Sequence, residues 1–159
     1  MLLRLDISRL YHYWSYLKTK PGGRYLFNFF IRLINPYTGA LKANVLDLQK
    51  GYAQLELKDR RAIRNHLNSI HAIALTNLGE FTSGLALISQ FSKNMRGIPI
   101  DIHIEFLKKA RGKLMAECST QIPNFEVKTQ HTVVANIINT EKELVARVSV
   151  IWQLSYQVD

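Results

Sequence analysis

Between Asn65 and Leu87 the chain reads Asn-His-Leu-Asn-Ser-Ile-His-Ala-Ile-Ala-Leu-Thr-Asn-Leu-Gly-Glu-Phe-Thr-Ser-Gly-Leu-Ala-Leu. A polar turn feeds a run that is apolar on nearly every side. The pattern predicts a helix from about Ser69 to Gln90, with Asn68 and Ser69 as its N-caps. A helix that is apolar all round is a buried helix, so the rest of the chain must surround it. One carboxylate, Glu80, stands halfway along. Ionised carboxylates are almost never fully buried without a partner. Either Glu80 bonds to Thr76, Ser83 or a buried water, or it lines a wet cleft where its charge is used. The cost of burial favours the functional reading.

The material that could surround this helix is mostly strand. Leu41, Ala43 and Val45 alternate with polar residues, and after Gln49-Lys50-Gly51 so do Ala53, Leu55 and Leu57, which predicts a hairpin. Beyond the helix, Ile98, Ile100, Ile102, Ile104 and Phe106 alternate strictly and predict a half-buried strand, with Pro99 at its start or on an edge. Lys108 to Lys113 turns the chain into Leu114, Ala116 and Cys118. Phe125 to Ile137 and Leu144 to Leu154 alternate through two long strands. Ahead of all this come two helices. Residues 5 to 20 carry Leu10, Tyr13, Trp14 and Leu17 at helical spacing, stopped by Pro21-Gly22-Gly23. A second segment, with Phe27, Phe29, Phe30 and Leu33, is stopped at Asn35-Pro36. Core packing is the reading taken for these aromatics; a lid over a hydrophobic channel and a membrane-surface foot are the sharper alternatives.

The sum is an α+β chain of order ββαββββ behind a helical preface. With 159 residues and 47% hydrophobic content, a single domain over 1–159 is expected, residues 1–36 being an N-terminal helical extension and 37–159 the core. One sheet curled around the long helix is the economical solution. It leaves part of the helix, or the strand after it, for a second copy, so a homodimer is expected. At about 100° per residue, His71 and Glu80 fall on opposite sides of the helix. They can meet only across two chains.

These residues resemble a known group. Asn65, His71 and an acid nine positions later, on a helix wrapped by an antiparallel sheet, are similar to the hotdog-fold acyl-CoA thioesterases. The phenylacetyl-CoA thioesterase-like branch is nearest, with an uncharacterised relative of the DUF4442 type. Asn35-Pro-Tyr-Thr-Gly39, Arg64-Asn-His-Leu-Asn-Ser-Ile-His71 and Phe106-Leu-Lys-Lys-Ala-Arg-Gly112 carry the likeness, which spans roughly residues 35 to 157. It implies that Glu80 is the general base or nucleophile and that Asn65 holds the water or thioester. It further implies that the Ala72 or Ile73 amide stabilises the developing oxyanion and that His71 orients this turn. Coenzyme A, entering only as part of the substrate, would need cations for its phosphates; Arg60, Arg61, Arg64, Lys108, Lys109, Arg111 and Lys113 are the candidates. An acyl carrier protein thioester is the other substrate form, and dimers pairing into tetramers remain open. The family's His-Gly-Gly is here His71-Ala72-Ile73, and β-branched Ile73 crowds the approach that glycine leaves clear. Where some members hold the water with a later Ser or Thr, this chain has Ile98-Pro99, so Ser83 or Thr82 is the substitute.

The remaining features narrow the classes. The net charge of +9, from 21 Lys and Arg against 12 Asp and Glu, suits anionic partners. No nucleic-acid reading motif accompanies it, so nucleic acid is not expected as a partner. His12, His66, His103 and His131 lack metal-ligand spacing, and no metal is expected. Cys118, the single cysteine, is expected to be inert packing. No segment is long and apolar enough to span a bilayer, and the first residues do not form a signal peptide; a cytoplasmic location is expected.

Overall fold

The structure, a computed structural model, describes residues 7–156; the expected start of the first helix at residue 5 lies outside them. After a short 3-10 turn come α1 (Leu10–Leu17), α2 (Gly23–Ile34) and α3 (Pro36–Ala40). The hairpin β1 (Asn44–Gln49) and β2 (Tyr52–Leu57) leads to the long helix α4 (Ala72–Ile88). Four strands follow: β3 (Met95–Phe106), β4 (Leu114–Ser119), β5 (Lys128–Ile138) and β6 (Leu144–Tyr156). All six strands form one antiparallel sheet of order β1-β2-β4-β5-β6-β3. Helix α4 crosses the sheet and touches every strand. This is the α+β hotdog arrangement, in the ββαββββ order that the alternation patterns predict.

Close approach between α4 and the sheet depends on a residue with no side chain. A Cβ at Gly79 would lie 2.2 Å from Val148 Cγ2, so only glycine lets the backbone settle here. Leu78, Ala86 and Leu87 are then fully buried against Leu55, Leu114, Ile137 and Leu154.

The helical preface is tied to the sheet edge by one buried amide. Asn28 Oδ1 accepts from the Val45 N–H at 2.7 Å. Its Nδ2 donates to the Val45 carbonyl at 3.2 Å and to the Arg24 carbonyl at 2.9 Å. On the outermost strand, where a backbone N–H and C=O would lack partners, the side chain stands in for a neighbouring strand. Trp14, Phe27 and Ile31 pack as core beneath it.

Several expectations need correction. Helix α4 begins at Ala72, not Ser69, and its N-cap is His71 rather than Asn68 or Ser69. The preceding residues are committed elsewhere. Asn65 Oδ1 accepts from the Leu67 and Ser69 amides, closing an Asx-type turn, and the Ile70 N–H goes to the Ala110 carbonyl. The Pro36 segment is not a plain stop but a further short helix, with proline at the first helical position where its missing N–H costs nothing. The first strand begins at Asn44 because Leu41 to Ala43 leaves α3, with Lys42 at φ 55°. Core packing fails for most of the α2 aromatics: Tyr25 and Phe29 are more than half exposed and Phe30 nearly half, leaving Phe27 in the core. The half-buried strand is an edge strand, paired with β6 alone, on which Ile98, Ile100, Ile102 and Phe106 are all exposed. Alternation shows which face is apolar, not what covers it, and a bulge between Pro99 and Asp101 breaks the strict period.

Replacing Gly79 with alanine is expected to lower the unfolding free energy by about 1–3 kcal/mol through overpacking against Val148. Urea denaturation would measure it, and the loss should outweigh alanine's better helix propensity.

Candidate active site

Glu80 lies in the middle of α4, on the side turned away from the sheet. A cavity of about 520 Å³ opens beside it, between α4 and the helical preface. Tyr13 and Leu17 come from α1, Leu26, Phe30 and Ile34 from α2, and Phe81, Leu85 and Ile88 from α4; Trp152 closes one side. Among the described lining residues, Glu80 is the one charged side chain. Thr76 and Ser83, the structural partners open to it, are both committed to backbone: Thr76 donates to the Ala72 carbonyl and Ser83 to the Glu80 carbonyl. Thr82 likewise donates to the Leu78 carbonyl. Among the described residues the Glu80 carboxylate has no hydrogen-bond or ion-pair partner. Burial in this apolar setting pushes its pKa above the ordinary glutamate value. A poised, unpaired carboxylate on the wall of an apolar cavity can activate water or attack an electrophile.

The other predicted residues gather at the start of α4, roughly 13 Å along the helix axis from Glu80. The Lys58–His71 segment and the Leu107–Lys113 loop are joined there. Gly112 N–H donates to Asp59 Oδ2, and the Arg111 side chain donates to Ser69 Oγ and the Leu67 carbonyl. His71 is exposed, and its Nδ1 accepts from the Ile73 N–H at 3.1 Å. The proton of the neutral ring is therefore on Nε2. Of the two amides considered for an oxyanion, that of Ile73 is thus occupied by His71, while that of Ala72 has no partner among the described residues. Asn65 spends its carbonyl oxygen on the turn and keeps its Nδ2 donor available. Glu80 and this cluster do not meet within one chain.

Most of the cations considered for phosphate hold the protein's own structure. Arg60 donates to the Ala40 and Leu41 carbonyls. Arg64 pairs with Asp59 at 2.6 Å, which holds that carboxyl below its usual range. Lys108 pairs with Glu143, and Lys113 with Glu56 at 3.5 Å. Arg61 and Lys109 have no such partner among the described residues and are exposed. Cys118 is buried, and burial pushes its thiol pKa up to about 12, so it is unreactive packing. No group of metal-ligating side chains occurs among the described residues. Sequence reasoning located the carboxylate but took the large apolar residues of α2 as core, setting aside the lid over a hydrophobic channel that the cavity resembles.

The fold and the placement of a lone acid on its central helix define a hotdog-fold protein. The chain belongs to the DUF4442 family, a domain of unknown function whose model matches residues 23–154. That match takes in α2, which the motif resemblance leaves out. Among solved structures, the chain is similar to a structural-genomics target, APC5556, at 24% identity, covering 96% of this chain and 100% of that one with a TM-score of 0.80. It is also similar to a protein of unknown function from Pseudomonas aeruginosa, PA5026, described as a probable thioesterase: 19% identity, 77% and 88% coverage, TM-score 0.66. A third is a putative esterase from Mycobacterium tuberculosis, Rv1847/MT1895: 13% identity, 78% and 99% coverage, TM-score 0.69. No curated protein matches the chain. No helix among the described residues is long and apolar enough to cross a membrane.

The raised Glu80 pKa fixes the sign of a stability effect. The folded-state value lies above the unfolded one, so the protonated acid favours the fold. That contribution is complete below the ordinary glutamate value of 4.5 and is lost as pH rises through the raised folded value. The melting temperature of Glu80→Gln minus that of wild type should therefore increase with pH above 4.5, as read by thermal melts across a pH series.

Proposed function

We propose that this protein hydrolyses acyl-CoA thioesters, with the medium or long-chain or aryl acyl group in the apolar cavity and Glu80 as general base or nucleophile. The observation that carries the reading is the Glu80 carboxylate, unpartnered among the described residues, on the wall of a mostly apolar cavity whose other polar lining residues, Asn35 and Thr38, are uncharged. A hydrocarbon chain suits such a wall, and the volume falls within the ~300–1,000 Å³ typical of small-molecule sites. The names of two structural neighbours, a probable thioesterase and a putative esterase, agree with this class of chemistry.

The site is shared between two copies in this reading. Glu80 of one chain would act on a thioester whose carbonyl oxygen lies at the Ala72 amide of the other, where the positive end of α4 favours developing negative charge. Asn65 Nδ2 would hold the water or the thioester, and His71 would keep the turn in shape through its bond to the Ile73 amide. Arg61 and Lys109 are the cations left to meet the phosphates of coenzyme A. The exposed apolar edge strand β3 supports the dimer, since an edge of this kind invites strand pairing unless it is covered.

A second reading, a non-catalytic acyl-thioester or lipid-binding protein, is favoured by one observation. Ile73, more than half exposed, puts a β-branched side chain at the helix start, and its amide is engaged by His71. It predicts saturable binding of acyl-CoA by calorimetry without release of free thiol.

Steady-state thiol release with a panel of acyl-CoA chain lengths separates the readings. Glu80→Gln should reduce kcat/KM by about 10²–10⁴-fold. The acid limb of the wild-type pH profile should lie above the ordinary glutamate range, as the burial of Glu80 requires. Equal rates for variant and wild type, or no turnover at any chain length, would remove the hydrolase reading.

A further inference from the structure

Helix α2 presents two apolar flanks. Leu26, Phe30 and Ile34 line the cavity. Tyr25, Phe29 and Leu33 do not line it; they recur every fourth residue as one outward stripe, 85%, 55% and 60% exposed. Tyr37, in the short helix α3 that follows, is 74% exposed. Single exposed apolar residues need no explanation, but a continuous aromatic stripe on a stable helix does.

The charges around the stripe say what could cover it. From residue 7 to residue 46 the chain carries six cations, Arg9, Lys18, Lys20, Arg24, Arg32 and Lys42, and no Asp or Glu. Lys18, Lys20, Arg24 and Lys42 are exposed. Arg32 stands within about 20° of Tyr25 on the helical wheel, held there by Asn44 Oδ1 at 2.6 Å. A second copy set face to face would bring two such cationic segments together, neither with an Asp or Glu between residues 7 and 46, which is repulsive. A bilayer with anionic headgroups answers both features at once, taking the aromatic stripe at the level of the headgroup and acyl boundary and the cations at its charge.

We infer that α2 is a membrane-surface docking helix, with Tyr25, Phe29 and Leu33 entering an anionic lipid surface and the surrounding lysines and arginines holding it there. The same helix forms a wall of the cavity, so a lipid-dissolved acyl substrate would meet the cavity entrance from the bilayer side. That last link rests on the thioester reading; lipid binding itself does not.

The test is co-sedimentation of the full chain with vesicles of phosphatidylcholine alone or of phosphatidylcholine with phosphatidylglycerol. Wild type should sediment with the anionic vesicles, weakly with the neutral ones, and less as salt is raised. The triple variant Tyr25→Ser, Phe29→Ser, Leu33→Ser should lose at least about tenfold in partition coefficient. Phe29→Ser alone should lose part of that while keeping the wild-type melting temperature, since its side chain faces outward. Lys20→Gln with Arg24→Gln should lose the preference for the anionic vesicles. Wild-type sedimentation with neither vesicle, or equal binding by wild type and the triple variant, would overturn the proposal. So would sedimentation velocity showing that the triple variant breaks a wild-type oligomer that does not partition, because a second copy would then be the occupant.

Discussion

The structure depends on burying a helix that has no polar side. Helix α4 can be covered along one flank by the sheet, and the contact of Gly79 with Val148 brings the two backbones as close as the chain allows. A six-stranded sheet cannot close around it. The opposite flank, which carries Glu80, Phe81, Leu85 and Ile88, is roofed by α1 and α2. A roof of helices laid on a helix packs less completely than a sheet curled around one, and the space left over is the cavity. The helical preface is thus part of the cavity's construction and shares in the burial that raises the pKa of the Glu80 carboxyl.

The two ends of α4 perform different physical tasks. At its start, side chains spend their hydrogen-bonding capacity on local order: Asn65 closes a turn, His71 caps the helix, and Arg111 and Asp59 join two loops. Halfway along, the Glu80 carboxylate has no hydrogen-bond or ion-pair partner among the described residues, and its desolvation is a cost carried by the rest of the fold. A protein selected for stability alone would place a leucine there. Stored cost at one residue and close local satisfaction at the other end of the same helix fit a reactive group set against a rigid frame.

The patterns that could be read from the sequence were those with a period. The ββαββββ order, the burial of α4, the inert Cys118 and the anomaly of Glu80 follow from alternation, helical spacing and the cost of burying charge. What failed were boundaries and coverings. The α4 start was misplaced because Asn68 and Ser69 are good cap residues by type, yet a neighbouring Asx-type turn claims the Ser69 amide and puts Asn68 at positive φ. The phosphate-binding cations were counted by charge, and five of the seven hold structural partners, four of them far away in sequence, as Lys113 holds Glu56 and Lys108 holds Glu143.

By itself, then, the sequence determined that a long apolar helix must be wrapped by an antiparallel sheet and that one carboxylate stands among its apolar residues. Periodicity and desolvation are local properties, and they suffice for that. Only the tertiary structure decided that α1 and α2 roof the Glu80 flank, that a cavity of about 520 Å³ lies beneath them, and that Asn28 fastens them to Val45. Those facts depend on how separate elements meet, and the hydrophobic effect that drives the meeting is non-directional. It favours burial of the α2 aromatics without saying where, and which of them reach the core, the cavity or the outer stripe is set by the shape of what they pack against.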